Sequence, residues 1–235
     1  MIPPYLTRVR INPRRRQSQR YLSDPHRMHG AVLAGFPEDP TGDSSTGRVL
    51  WRLDNDDPRR PLLWVLSPAR PDYSALVEEA GWPESDVSGF ETRSYRPVVD
   101  GLTSGEHYAF RLTANPVHNV KVGGNGRTKR MGHVTATQQI AWLTDRTENW
   151  GFTIPEGTGG EPNLRLIARN RQTFFRRREG DAKPRRVTLT TATYEGEMIV
   201  TDPDRLRSAI TGGVGHAKAY GCGLMTLASV SQVAQ

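Results

Sequence analysis

At 235 residues the chain is long enough for one large domain or two small ones, and either buries enough apolar surface to fold without covalent staples. Its single cysteine, Cys222, excludes an internal disulfide and a thiolate metal cluster, and fits a reducing cytoplasm. Against 25 Asp and Glu stand 32 Lys and Arg, a formal charge of +7; the basic residues are bunched while the acids are scattered, which points to a polyanionic partner. The opening MIPPYLTRVRINP is too polar for a signal peptide, and no apolar run reaches the ~18 residues that span a bilayer. A soluble cytoplasmic protein with no membrane partner is expected.

Alternation over Tyr5–Ile11 predicts a half-buried strand ended by Asn12-Pro13. Arg14 to Leu22 reads as a basic turn of helix or a loop. Ser23-Asp24-Pro25 supplies an N-cap and a first-turn proline, so a helix begins near Pro25 and runs toward Gly35. Residues 38–47, rich in Pro, Gly, Ser and Asp, read as a surface loop. Strands follow at 48–53 and 61–67, joined by a hairpin through Asn55-Asp56-Asp57-Pro58. A helix over 72–82 and a short strand near Tyr95 to Val98 complete the order β-α-β-β-α-β, the ferredoxin-like arrangement.

A comparable order returns after residue 100. A strand is predicted at 106–114, a basic loop to His133, a helix at 137–150, strand or hairpin material over 164–178 and 185–200, a capped helix at 202–210 and a closing strand at 223–230. The expected fold is α+β, two tandem ferredoxin-like, RNA-recognition-type domains with antiparallel sheets, divided as 1–99 and 100–235.

His26 and His29 lie three apart near a predicted helix start, on neighbouring spots of one face. Metal ligation, a structural role and acid/base chemistry compete for them. A zinc site would need further ligands that one cysteine and no HExxH spacing do not supply, so no metal and no cofactor are expected. Acid/base use gains weight beside the arginine runs, because RNA carries its own nucleophile. Removing the 2′-hydroxyl proton lets that oxygen attack the adjacent phosphorus, a transfer suited to an imidazole at neutral pH, while Lys or Arg stabilises the phosphorane.

Arg14-Arg15-Arg16 and Arg176-Arg177-Arg178, with Lys183, Arg185 and Arg186, can displace counterions from phosphates. Lys121, Arg127, Lys129 and Arg130 make the loop before His133 a second backbone-contact candidate. In "ITGGVGHAKAYGCGLMTLA" (210–228), Gly213, Gly215, His216 and Lys218 read as a phosphate cradle, or else as a tight helix-to-strand connection. The spacing is not that of a P-loop. Tyr194, Phe174 and Phe175 could stack on bases, but strand aromatics are more often core. His107 and His118 have no evident partner.

Taken in order, "YLTRVRINP", "DPHRMHGAVLAGFP", "FRLTANPV", "QQIAWL" and "GGVGHAKAYGCGLMTLA" resemble the CasE family of CRISPR repeat-RNA endoribonucleases, from residue 5 to residue 228. The resemblance implies tandem ferredoxin-like domains and a metal-independent cut at the 3′ base of a repeat stem-loop, leaving a 2′,3′-cyclic phosphate. It also implies retention on the guide RNA beside the other Cascade subunits. His29 falls on the family's catalytic histidine. Where relatives commonly have tyrosine three residues earlier, this chain has His26; where some have a basic residue five later, it has Ala34. The missing charge would come from Arg27, Lys218 or the arginine hairpin. A non-catalytic subunit that caps a guide RNA cut by another nuclease is the competing reading.

Overall fold

The computed structural model describes residues 4–37, 48–82, 89–121, 128–157, 159–176 and 183–230. Its first sheet has four antiparallel strands: β1 (Tyr5–Arg10), β2 (Leu50–Asp54), β3 (Leu62–Ser67) and β4 (Phe90–Ser94), in the order β2-β3-β1-β4. Helices α1 (Arg16–Ser23), α2 (Pro25–Leu33) and α3 (Ser74–Ala80) cover one face. The alternation read in β1 sends Val9 to that face, where it meets Met28 and Val32 of α2 and Leu76 and Ala80 of α3; Arg8 and Arg10 point the other way.

The basic stretch before α2 is helical, held partly by Ser18, whose buried hydroxyl donates to the Ala80 carbonyl at 3.0 Å. The strand expected near Tyr95 to Val98 is instead a helix, α4 (Arg96–Asp100), and the strand lies just before it at Phe90–Ser94. Pro97, in the first turn of α4, has no N–H to lose there and fixes a helical φ.

The second sheet is built from β5 (His107–Ala114), β8 (Phe152–Thr153), β9 (Leu164–Arg176), β10 (Arg185–Val200) and β11 (Met225–Ser229), in the order β11-β5-β10-β8 with β9 also paired to β10. Helices α5 (Ala136–Thr144) and α6 (Pro203–Gly212) close its core around Leu112, Ala192, Tyr194 and Leu206. Both sheets thus show the 4-1-3-2 order of a ferredoxin-like fold, the architecture expected from the order of elements.

Two local expectations fail. The basic stretch before His133 is a hairpin, β6 (Val117–Lys121) with β7 (Thr128–Gly132), rather than a loop. The helix expected through 150 stops at Thr144, because Thr144 and Thr147 turn their hydroxyls back onto the carbonyls of Ile140 and Thr144; a 3-10 turn, Glu148–Trp150, follows. Arg127 lies outside the described residues.

The two sheets are welded together. Leu50 and Leu66 of the first belong to the core of the second, together with Tyr95, which precedes α4, and Val99 of α4. Arg52, only 2% exposed, grips Asp54 through Nε (2.7 Å) and Nη2 (3.0 Å). Its Nη1 crosses to the carbonyls of Arg111 (2.9 Å) and Leu224 (3.3 Å) and the hydroxyl of Thr226 (2.9 Å).

Candidate active site

Asp24 caps α2: its side chain accepts from the His26 N–H at 2.9 Å, and Pro25 occupies the first turn. Met28 and Val32 face the core, which leaves His26 and His29 half-buried on the side of the helix that meets the second half. His29 Nδ1 is buried and has no hydrogen-bond partner among the described residues. Burial holds the His29 imidazole below its ordinary pKa of 6.5, and the positive fields of His26, Arg48 and Arg176 push in the same direction.

Two of these neighbours come from outside α2, and a third element packs against it. Arg48 precedes β2, whose Val49 packs in the cluster that holds Met28 and Val32. Arg176 ends β9. The third element is the glycine-rich turn, a 3-10 segment (Lys218–Tyr220) on which both α2 and β2 rest.

That turn explains its own composition. Gly213 has φ +76°, and a Cβ there would lie 2.6 Å from Leu50 Cδ2 and 2.9 Å from Lys218 Cε. Gly221, at φ +79°, would collide with the Trp51 ring at 2.7 Å. The glycines therefore clear space for the Lys218 stem and for the strand beneath it, and the N–H groups of Val214 and Gly223 are spent on Gly223 and Thr113 carbonyls. Gly215 is likewise left-handed, φ +71°. The tight-connection reading accounts for Gly213 and Gly221, and the Lys218 ammonium is available to an anion. Burial and Arg48 hold its pKa below the usual lysine value, and it has no ion pair with a described carboxylate.

Positive charge continues past Lys218. His216 is exposed, its pKa lowered by burial and by the fields of Arg130 and Lys218. Arg130 and Lys129, on β7, line an open groove of about 680 Å³ with Arg169, Arg171 and Thr188 of the β9–β10 ribbon. Lys121 ends β6, exposed. Arg176, His29, Arg48, Lys218, His216 and Arg130 thus form one basic line linking α2 to the hairpin.

At the ribbon's outer end Arg185 stands opposite Arg176 in register, with Arg186 and Lys183 exposed nearby. Arg177 and Arg178 lie outside the described residues. Arg27 is not brought to His29: it sits on another side of α2 and pairs with Asp24 at 3.5 Å. Tyr194 is core, its hydroxyl donating to the Gln139 carbonyl at 2.8 Å; Phe174 is buried and Phe175 exposed. His107 meets Glu197 at 2.7 Å, and His118 stacks on His133 at 4.5 Å. Among the described residues no three His, Cys, Asp or Glu side chains gather as a metal site.

Arg48 is the residue sequence reasoning missed. Nothing adjoining it in the chain marks it, since its place depends on β2 docking against the Lys218 turn.

The sequence model of the family described as CRISPR associated protein matches residues 4–229. The chain belongs to this family. Among relatives of this CRISPR associated protein, the CRISPR-associated endoribonuclease Cse3 of Thermus thermophilus is 29% identical over 228 residues, 95% of this chain and 99% of Cse3. The CRISPR system Cascade subunit CasE of Escherichia coli K12 is 26% identical over 190 residues, 71% of this chain and 88% of CasE. Thermus Cse3 bound to an RNA representing a pre-cleavage complex superposes with a TM-score of 0.71 at 29% identity, covering 96% of this chain and 99% of that one. No helix is long and apolar enough to cross a membrane among the described residues.

Proposed function

We propose that the chain is a metal-independent endoribonuclease that grips the stem-loop of a CRISPR repeat RNA in the cytoplasm, cleaves the precursor at the 3′ base of the hairpin, and stays on the mature guide RNA with other Cascade subunits. The observation that carries this reading is a half-buried histidine, His29, on α2 beside Arg48 and Arg176, neither of which has an ion pair with a described carboxylate. The Cse3 and CasE relatives supply the reaction class and the assembly. In this reading the unit over 1–99 carries the catalytic helix, and the unit over 100–235 carries the ribbon and the glycine-rich turn.

With Nδ1 buried, proton exchange falls to Nε2 of His29. It takes the 2′-hydroxyl proton as that oxygen bonds to phosphorus. The bond to the 5′-oxygen then breaks, and the strand ends in a 2′,3′-cyclic phosphate. His26, on the same helix face, assists by protonating the departing oxygen. Arg48 and Arg176 stabilise the charge that builds on the phosphorane, the role left empty at Ala34. The ribbon arginines follow phosphates at the end of the stem, because side chains do not enter the deep, narrow major groove of a regular A-form helix.

Product chemistry tests the reading. Cleavage of the cognate repeat RNA should persist in EDTA, yield a cyclic phosphate and stop when the cut nucleotide is 2′-deoxy. Intact RNA in a tight complex would assign the chain to guide capping alone.

The pH profile follows from the lowered His29 pKa. Only the neutral imidazole accepts the proton, so the acid limb of kcat/KM, which reports the free enzyme, should rise tenfold per unit and bend below pH 6.5, with the acid that protonates the departing oxygen setting the opposite limb. An acid limb centred above 6.5 would contradict the burial argument. Arg48→Ala should slow single-turnover cleavage roughly 10-fold to 100-fold. Arg27→Ala, which removes only an exposed pair with Asp24, should stay within about threefold of wild type. Equal effects of the two would remove Arg48 from the site.

A further inference from the structure

We propose that the outer face of the first sheet holds a second RNA site, one that takes an unpaired segment flanking the stem-loop. The proposal rests on the function above but uses a surface that function leaves idle.

Leu6, Arg8 and Arg10 of β1 share the face opposite α2, and antiparallel register sets Arg8 beside Trp64 and Arg10 beside Leu62 on that same face. At one end of the face Leu6 and Trp64 pack on the core of the second half. Beyond them the face opens into a groove of about 490 Å³ lined by Arg8, Arg10, Arg60, Pro61, Leu62 and Trp82. Arg93 of β4 stands opposite Leu6.

Charge on this face is one-sided. Glu91 accepts from Arg8 at 2.8 Å and from Arg10 at 3.5 Å, one carboxylate shared by two guanidinium groups. Arg60 has no ion pair among the described residues. The groove also shows an indole to solvent, with Trp82 37% exposed, and the Arg8 guanidinium lies 6.0 Å from the centre of the Trp64 ring.

An acidic peptide would satisfy the arginines and leave Trp82 without a use. A single strand of RNA uses both, because an unstacked base lies on the indole while its phosphates meet the guanidinium groups. A duplex offers no free base face, so the occupant is a flank of the hairpin and not its stem.

The test compares a minimal repeat stem-loop with the same stem-loop carrying ten-nucleotide single-stranded flanks, both bound to full-length protein and followed by fluorescence anisotropy. Arg10→Glu with Arg60→Glu should weaken the flanked RNA about tenfold, leave the minimal stem-loop within twofold, and lower the salt slope of the flanked RNA by about 1.4, two single-strand phosphate contacts. Trp82→Ala should cost the flanked RNA roughly tenfold as well. Arg10→Gln with Arg60→Gln repeats the measurement without charge reversal, and thermal melting confirms that each variant is folded. Equal losses on both RNAs, or no loss on either, would overturn the site. So would retention of flanked-RNA affinity alongside lost binding of an acidic peptide. Failure of wild-type protein to bind the minimal stem-loop would instead reject the parent function.

Discussion

His29→Ala should abolish cleavage of repeat RNA while leaving its affinity within about threefold. In the proposed mechanism the imidazole takes the 2′-hydroxyl proton, and removing a positioned general base costs ~10²–10⁴-fold in rate. Affinity should survive because the groups proposed to hold phosphate belong to other elements: Arg176 on the ribbon, Lys218 on the turn, Lys129 and Arg130 on the hairpin. Single-turnover cleavage with excess enzyme, alongside a binding isotherm on uncleavable 2′-deoxy RNA, separates the two effects. A variant that cuts at the wild-type rate would end the assignment. One that loses binding and cleavage together would show that His29 supports the fold, since its Nδ1 is buried beside the α2 core.

Arg52→Ala should be the most damaging single change to stability, by about 3 kcal/mol. The guanidinium is inside the protein, and its loss strips Asp54 of its bidentate partner, leaving that carboxylate only Arg111 Nε at 3.4 Å. It also leaves the carbonyls of Arg111 and Leu224 short of a donor at the seam between the sheets. Urea denaturation followed by tryptophan fluorescence reads the loss, with Trp51 and Trp64 reporting on the first half and Trp142 and Trp150 on the second. Should the unfolding free energy fall by less than about 1 kcal/mol, the seam is held by Leu50, Leu66 and α4.

Much of this architecture is legible before any coordinate is known. Period-two alternation in Tyr5–Ile11 marks a strand with one buried face, and Asp24-Pro25 marks a helix start by cap chemistry; both are local signals. The β6–β7 hairpin is not legible in that way. His118, Asn119, Lys129, Arg130 and Met131 are all exposed, so no buried face imposes an alternation. The short helix α4 is misread because Tyr95 and Val98 look like strand residues, whereas Pro97 decides the backbone.

The same division holds at the site. Histidines at helical spacing and a run of arginines declare their chemistry by type. Gly213 and Gly221 do not, because the steric demand they answer comes from Leu50 and Trp51, far away in the chain. Arg48 is silent for the same reason.

β10 runs without interruption from Arg185 to Val200 and serves two structures. From Ala192 onward it is clamped between β5 and β9 in the sheet; before that it is half of a two-stranded arm. The bulge at Thr193/Tyr194 and the buried Tyr194 pin the arm at its root. One face of the arm, with Phe174 and Leu189, packs on Cys222 and Tyr220 of the glycine-rich turn, so its side chains alternate between that turn and the opposite side. Inserting or deleting a single residue between root and tip would roll every outlying arginine to the opposite side. Changes in its length are tolerated only in even steps, matched on both strands.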